Sequence, residues 1–454
     1  MKRYGAIILG ILFVLGMAAS AFAIHAEIPA ETQAVVAKGQ TLITLGGDIR
    51  FRGTFDKNLG DQLDGGSDDH RAYIDQRVRL RMDIKASEKT SARIHIEHVN
   101  TWGDGWRWGD SAWDFNDNAK GVFKVGNYKE ADDFSLVEAW INHDFGSFSI
   151  KAGHMPLALG YKLFFDHTKE GDDAIVIYGS SNNVHWAGVV AKFSEGHRGI
   201  NDDTTAYAVL ASYKGDNFNI SGDIVYVDSQ SGIIASNPAL AIGSAIHGWN
   251  FGFRGDFNLG GVKVKGDIEL QTGTLEESNG AVCTANVDCD FKGYAFMIGA
   301  EYGLGNTKLT LEYFYGSGDD NPNDSDLDMF VTSLSAVQYG PYIYGYKSSD
   351  TASGGPGISN LQRLSFTAST KVSKDLSLTG AIHWLKAAED VSINGATADD
   401  DLGWEIDGKV VYMLDKNLKY WIEGGVLFTG DAYDYPTQSA DDMYSIRHGL
   451  LLSF

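Results

Sequence analysis

The sequence predicts an all-β chain that closes into a transmembrane antiparallel β-barrel of about 18 strands. Three observations carry that prediction. The stretch RAYIDQRVRLRMDIK (71–85) sets Arg77, Arg79 and Arg81 at every second position, with Val78, Leu80 and Met82 between them. A helix would scatter those arginines around its circumference, whereas a strand gives one apolar and one cationic face. Connections between such stretches alternate between short turns and long loops. Finally, 54 glycines, 21 tyrosines, 23 phenylalanines and ten tryptophans stand against seven prolines and two cysteines. That balance suits a large exported β protein and not a disulfide scaffold. A mean hydropathy of −0.18 agrees, because only alternate residues of a barrel strand meet lipid.

In chain order, Lys2 and Arg3 precede the apolar run AIILGILFVLGMAA and the small-x-small step Ala21-Phe22-Ala23. This is the build of a secretory signal peptide cut after Ala23, or else after Ala26. It divides the chain into a signal (1–23), a periplasmic N-terminal segment (24–40) and the barrel (41–454). Nothing later offers about 20 consecutive apolar residues, the length a membrane helix needs. Losing Lys2 and Arg3 takes the formal charge from −23 by two units to −25. Such an acid excess weighs against nucleic acid as a partner.

Alternation recurs along the whole barrel region. Ile43, Leu45, Ile49, Phe51 and Phe55 interleave with Thr44, Asp48, Arg50, Arg52 and Thr54. Val262, Val264, Ile268 and Leu270 interleave with Lys263, Lys265, Asp267, Glu269 and Gln271; Trp404, Ile406 and Val410 with Glu405, Asp407 and Lys409. Short turns read SEKT (87–90), FGS (145–147), KGD (214–216), NLGG (258–261), GLGN (303–306), SKD (373–375) and LDKN (414–417). Longer stretches, read as polar outer loops, lie near 57–69, 103–133, 156–172, 195–204, 229–246, 274–292, 317–360, 388–401 and 430–441. The weakest strand pair is the sixth and seventh, near 173–178 and 184–194. Tyr412, Tyr420, Phe257 and Tyr302 fall near the short-turn ends, as an interfacial girdle requires. The last face, Tyr444, Ile446, Leu450, Leu452 and Phe454, resembles the aromatic-ended closing strand of outer-membrane barrels. A soluble sandwich or propeller would also alternate, but no repeat of roughly 20–50 residues supports one.

With the apolar face on lipid, Arg50, Arg52, Arg77, Arg79, Arg81, Arg93 and Arg447 face the lumen, with His95 beside them. Closure of the barrel makes their strands contiguous, a cationic arc. Lys263 and Lys265 join the pore-lining set. Inward acids are Glu138, Asp267, Glu269, Glu301, Glu312, Glu405, Asp407 and Glu423. An arginine ladder matches carboxylates and phosphates through its forked donors, so one reading is an anion or acidic-sugar track. The other is that the arginines pair with Asp48, Asp75 and Asp83 and hydrate the wall.

Two stretches resemble the alginate-export family of outer-membrane barrels. One is GSGDDNPNDSDLDMF (316–330), following the aromatic strand LTLEYFYGSG; the other is KAGHMPLALGYKLFFDHTKEGDDAIVIYG (151–179). The resemblance implies an 18-stranded barrel that passes anionic polymers or small organic solutes. The chain departs from the family pattern at His154-Met155-Pro156 and in a Ser-, Gly- and Tyr-rich stretch at 331–360.

Asp319, Asp320, Asp324, Asp326 and Asp328 crowd one outer loop, where hard-cation chemistry would suit Ca²⁺. The loop is no EF-hand, since position six counted from Asp324 is Met329, and a solvated acidic loop is the plainer alternative. Cys283 and Cys289 suit a local disulfide in an oxidising compartment. The loop 103–133, near Trp102, Trp106, Trp108 and Trp113, would fold into the pore or cap it. Catalysis finds no H-E-x-x-H, G-x-S-x-G or phosphate-cradling glycine loop. The expected function is therefore an outer-membrane channel, not an enzyme and without a cofactor, for hydrophilic anionic small solutes or acidic saccharides. Its surroundings would be the bilayer and lipopolysaccharide, and a homo-oligomer or a monomer fits equally. The alternative is a non-transporting barrel that sheathes or receives a partner protein.

Overall fold

The computed structural model describes residues 34–38, 41–59, 62, 70–102, 134–169, 171–195, 202–230, 245–278, 283–321, 323–332, 340–345 and 357–454. Within them 18 strands close into one antiparallel barrel. They are β1 (Thr41–Lys57), β2 (His70–Lys85), β3 (Thr90–Thr101), β4 (Phe134–Asp144), β5 (Ser149–Met155) and β6 (Asp172–Ser181). Next come β7 (Val184–Ser194), β8 (Thr204–Lys214), β9 (Phe218–Ser229), β10 (Ala245–Leu259), β11 (Val262–Glu276) and β12 (Tyr294–Leu304). The rest are β13 (Thr307–Gly316), β14 (Leu361–Lys371), β15 (Leu376–Val391), β16 (Asp399–Asp415), β17 (Leu418–Thr429) and β18 (Met443–Ser453). Closure is a ladder between β1 and β18, from Asp48 opposite Ser453 to Lys57 opposite Tyr444. Phe454 exchanges both backbone hydrogen bonds with Gly47, at 2.8 and 3.0 Å.

The turn chemistry explains the register. In the turn between β10 and β11, Gly260 (φ +58) and Gly261 (φ +92) both take positive φ. That is the backbone of a two-residue hairpin turn matched to strand twist, and glycine adopts it without steric cost. The weak sixth and seventh strands form a hairpin because Asn182 accepts φ +52 at its tip. At the turn after β2, the Ser87 hydroxyl accepts from the backbone N–H groups of Lys89 and Thr90.

The outer face is apolar. Leu80, Ile94, Ile141, Val209 and Ile298 stand on it, each exposed, as side chains facing hydrocarbon must be. Aromatics gather at two levels. Tyr213, Phe218 and Phe257 stack near the short turns. Tyr207, Tyr226 and Trp249, and separately Tyr294, Phe296 and Tyr315, stack toward the long-loop end. Such a belt between two aromatic girdles is what a bilayer demands of a barrel.

One expectation needs correction. The stretch 156–172, read as a polar outer loop, contains the apolar series LALGYKLFF and folds into the barrel. Leu163, Phe164 and Phe165 are buried there against inward residues Ala206 (β8), Val225 (β9), Ala295 and Met297 (β12) and Phe314 (β13). The physical reason is that this sector of the inner wall is itself apolar and would otherwise face water. A second inward segment, 340–345, buries Ile343 and Tyr344 against Leu361, Leu385, Leu402 and Leu427. Residues 103–133, with Trp106, Trp108 and Trp113, lie outside the described residues, as does the signal segment 1–23. Trp102 stands on the outer wall, edge-on to Phe51 at 5.8 Å.

Candidate functional site

The inner wall carries two charged sectors with opposite stoichiometry. On β1 to β4, β17 and β18, with Lys409 of β16 beside them, four carboxylates are each shared by two cations. Asp75 accepts from Arg50 (2.8 Å) and Arg52 (2.6 Å). Asp83 pairs with Arg81 (3.0 Å) and Arg93 (2.6 Å). Glu97 holds Arg79 at 2.6 Å with Arg77 at 3.9 Å, and Arg77 also donates to Asp48 at 2.8 Å. Glu423 pairs with Arg447 and with Lys409 (2.7 Å). Glu138 lies 3.4 Å from both Arg93 and His95 and accepts the Trp140 indole N–H at 2.8 Å. Further cations widen the imbalance. Lys419 lies on the same inward row of β17 as Glu423, and Lys151 sits 4.0 Å over the Trp140 ring. Neither has an acid in ion-pair range among the described residues.

The ladder register makes this sector costly. Arg50 lies directly opposite Arg77 across the β1–β2 pair. Like charges in that position repel, and the neighbouring Asp48 and Asp75 hold them in place. The seven arginines read from the sequence thus come together, and they pair with Asp48, Asp75, Asp83, Glu97, Glu138 and Glu423.

Lys263 and Lys265 are placed elsewhere, on the opposite sector formed by β9 to β13. Here one cation serves several acids. Arg254 donates to Asp267 (3.0 Å), to Glu269 (2.7 Å) and to Asp223, all three carboxylates being fully buried. Lys265 pairs with Glu312 (2.6 Å) and Glu301 (3.2 Å), and Lys263 with Asp256 (3.2 Å). Asn250 donates to Glu269 at 2.7 Å.

Wall carboxylates also hold the two inward segments. The backbone N–H of Tyr161 donates to Asp267 at 2.9 Å. Those of Ile343 (2.5 Å) and Tyr344 (2.9 Å) donate to the two oxygens of Glu405, and that of Tyr342 to Asp407 at 2.9 Å. The Tyr342 ring covers Arg447, 4.8 Å from its guanidinium carbon. Sequence reasoning found these acids as inward-facing but missed their partners. The one local signal was an apolar series inside a supposed outer loop.

Beside this dock, His383 Nδ1 bonds Ser365 Oγ at 2.7 Å, and its Nε2 lies 3.3 Å from Asp407. The trio has the order of a hydrolase relay, but Ser365 and His383 are 3% and 1% exposed. A substrate cannot reach them, so the group packs the wall. In the outer loop, ligand-capable oxygens of Asp319, Asp320 and Asp328 lie within 4.8 Å of one another. Asp326 pairs instead with Lys292, and Asp324 bonds Asn321 and the Asp326 backbone. Cys283 and Cys289 form a disulfide buried against Ile246, Leu275, Phe291 and Leu327.

An apolar exterior, a closed 18-strand wall and a charged, loop-narrowed interior define a porin-like β-barrel of the membrane-spanning kind. The family described as alginate export matches residues 241–445, a little under half of the chain. The fold is also that of OccK9 (OpdG) from Pseudomonas aeruginosa, at 12% identity, covering 90% of this chain and 98% of that one with a TM-score of 0.55. OccAB1 from Acinetobacter baumannii superposes at 13% identity over 90% of this chain and 96% of that one, TM-score 0.53. OccK11 (OpdR) from Pseudomonas aeruginosa does so at 11% identity over 90% and 96%, TM-score 0.52. No curated protein sequence matches the chain.

Proposed function

We propose that this barrel is an outer-membrane channel whose basic sector conducts small hydrophilic anions. The observation that carries the reading is the surplus of cations on β1 to β4, β17 and β18, joined by Lys409 of β16, with Arg50 set against Arg77. A wall that only needed wetting would be served by neutral hydroxyls and amides without that repulsion. Among the described residues, the two inward segments cover the apolar inner sectors and Tyr342 covers Arg447, while Arg50, Arg52, Arg77, Arg79, Arg81 and Arg93 have no hydrogen bond or ion pair to either segment. The arginines there are half-buried, with side-chain exposures from 13% at Arg447 to 27% at Arg93. Partial exposure lets these guanidinium groups meet a passing carboxylate or phosphate while their ion pairs fix them in place. Field focusing by such a sector raises the local concentration of anions and lowers that of cations.

The test is the reversal potential of the purified protein in a planar bilayer under a salt gradient. Wild type should prefer anions, and Arg77, Arg79 and Arg81 changed together to alanine should lose that preference. Open channels that prefer cations would make the arginines wall structure alone. Absence of conductance would favour a sheath or receptor around a partner protein.

A further inference from the structure

Arg254 occupies a position that the arginine ladder does not explain. It stands on β10, across the lumen from the basic sector, with 7% side-chain exposure. Its three nitrogens engage three fully buried carboxylates on the flanking strands, Asp223 on β9 and Asp267 and Glu269 on β11. One of these, Asp267, also accepts the Tyr161 backbone N–H. The guanidinium lies close against Gly160 of the inward segment. That glycine has φ +49, and a Cβ added there would overlap the guanidinium carbon and Nε. The crowding continues on the wall, where a Cβ at Gly252 would meet Arg254, Glu269 and Asp223 Oδ1 together. Two glycines have thus been left without side chains around one guanidinium.

We infer that Arg254 determines the ion selectivity of the channel from the opposite wall, by masking three carboxylates and seating the inward segment on them. The inference rests on the anion-channel reading above. Charge and space both follow from the same side chain. With the guanidinium in place, the three acids are paired and roofed by Gly160 and Tyr161, so the acidic sector presents a short, covered face. Without it, three carboxylates lose their shared cation and cannot remain buried unpaired. They must draw in water and mobile cations, and the segment that covers them loses its floor. The outcome is a wider lumen whose acidic wall competes with the basic one. Lys265 cannot substitute, because it is already held by Glu301 and Glu312.

The experiment measures conductance and reversal potential of wild type and three variants in planar bilayers. Arg254→Gln should raise conductance and move the permeability ratio severalfold toward cations. Gly160→Val keeps every charge but pushes the guanidinium aside, and should shift both quantities in the same direction by less. The triple variant Arg254→Met, Asp223→Asn, Glu269→Gln should conduct more than wild type yet keep its anion preference. Unchanged selectivity in Arg254→Gln overturns the inference. If that variant fails to fold, unchanged conductance and selectivity in Gly160→Val overturn it equally. A wild type without anion preference would sink the anion-channel reading, while a cation-ward shift on Arg254→Gln would still support the role of Arg254.

Discussion

On one wall of this barrel a carboxylate is shared by two cations, and on the other a single guanidinium is shared by three carboxylates. Asp75 between Arg50 and Arg52 typifies the first, and Arg254 among Asp223, Asp267 and Glu269 the second. Both sectors use the same inward row of alternate residues, and both satisfy most of their charges. What separates them is which partner is in short supply, and what covers the remainder. The basic surplus is left facing lumen among the described residues. The acidic surplus is roofed by backbone, with the peptide N–H of Tyr161 on Asp267, and the β16 acids Glu405 and Asp407 are met in the same way by the N–H groups of 342–344. On the anion-channel reading, a chain of formal charge −23 lines its conducting path with positive charge. Net charge counts residues, whereas the field in a channel depends on which residues remain uncovered.

The comparison breaks most severely at Glu405. Its two oxygens hold two buried N–H groups, and each orphaned donor costs about 1–3 kcal/mol. Glu405→Ala should lower the urea midpoint of the reconstituted barrel by the largest margin of any single lumen substitution. It should also raise conductance by freeing the 340–345 segment, whereas Glu405→Gln, which keeps one acceptor, should do half as much or less. A protein with wild-type conductance in both variants would mean that the segment is held by its apolar packing alone. Asp75→Asn sharpens the comparison from the other side. Arg50 and Arg52 lose their shared acid, so anion preference should rise while stability falls by about 1–3 kcal/mol. The opposite sign to Arg254→Gln in the same bilayer assay is the diagnostic result.

Smaller effects lie outside the lumen. Changing Cys283 and Cys289 to serine should destabilise their loop by about 2 kcal/mol, detected as faster protease nicking near 277–290 with selectivity untouched. The outer-loop carboxyls of Asp319 and Asp328 are raised above the usual aspartate range, first by desolvation and then by neighbouring aspartates. A raised folded-state value means the fold binds the proton more tightly than the unfolded chain does. The loop should therefore be most stable in acid and loosen as pH climbs through and above the aspartate range. Hydrogen exchange of 317–330, corrected for intrinsic rates, should report lower protection at pH 7 than at pH 4, and equal protection would sink the expectation.

Much of this architecture was legible in the residues. Strand parity placed Arg50, Arg77, Glu405 and Asp407 on the inner wall, because a period of two leaves no freedom once one face must meet lipid. The glycine pair of NLGG (258–261) marked its hairpin in the same way. The inward segments were not legible in the same way. Whether Leu163 and Phe165 point into a lumen depends on Ala206, Val225 and Phe314, which lie far away in sequence and show no local sign of facing a loop. The pairing of Arg254 with three acids was equally hidden, since register across β9, β10 and β11 brings together residues up to 46 positions apart. The apolar series LALGYKLFF was the one local clue, and it contradicts the rule that outer loops are polar.

The seam of the barrel has a consequence for how such a wall is joined. β1 has 17 residues and β18 has 11, and their pairing ends with Gly47 against Phe454, so Thr41–Gly46 runs past the end of its partner. That overhang does not stand as a bare edge. Ala34–Lys38 doubles back and pairs with Thr41–Leu45, end to end with Phe454. The joint is lapped in the manner of planking, with two pieces of chain meeting on one long strand, so the butt between them is bridged by unbroken backbone. A cut placed at 39–40 should leave the lumen as it is and turn the rim of the seam into an adhesive edge, open to the strands of a neighbouring molecule.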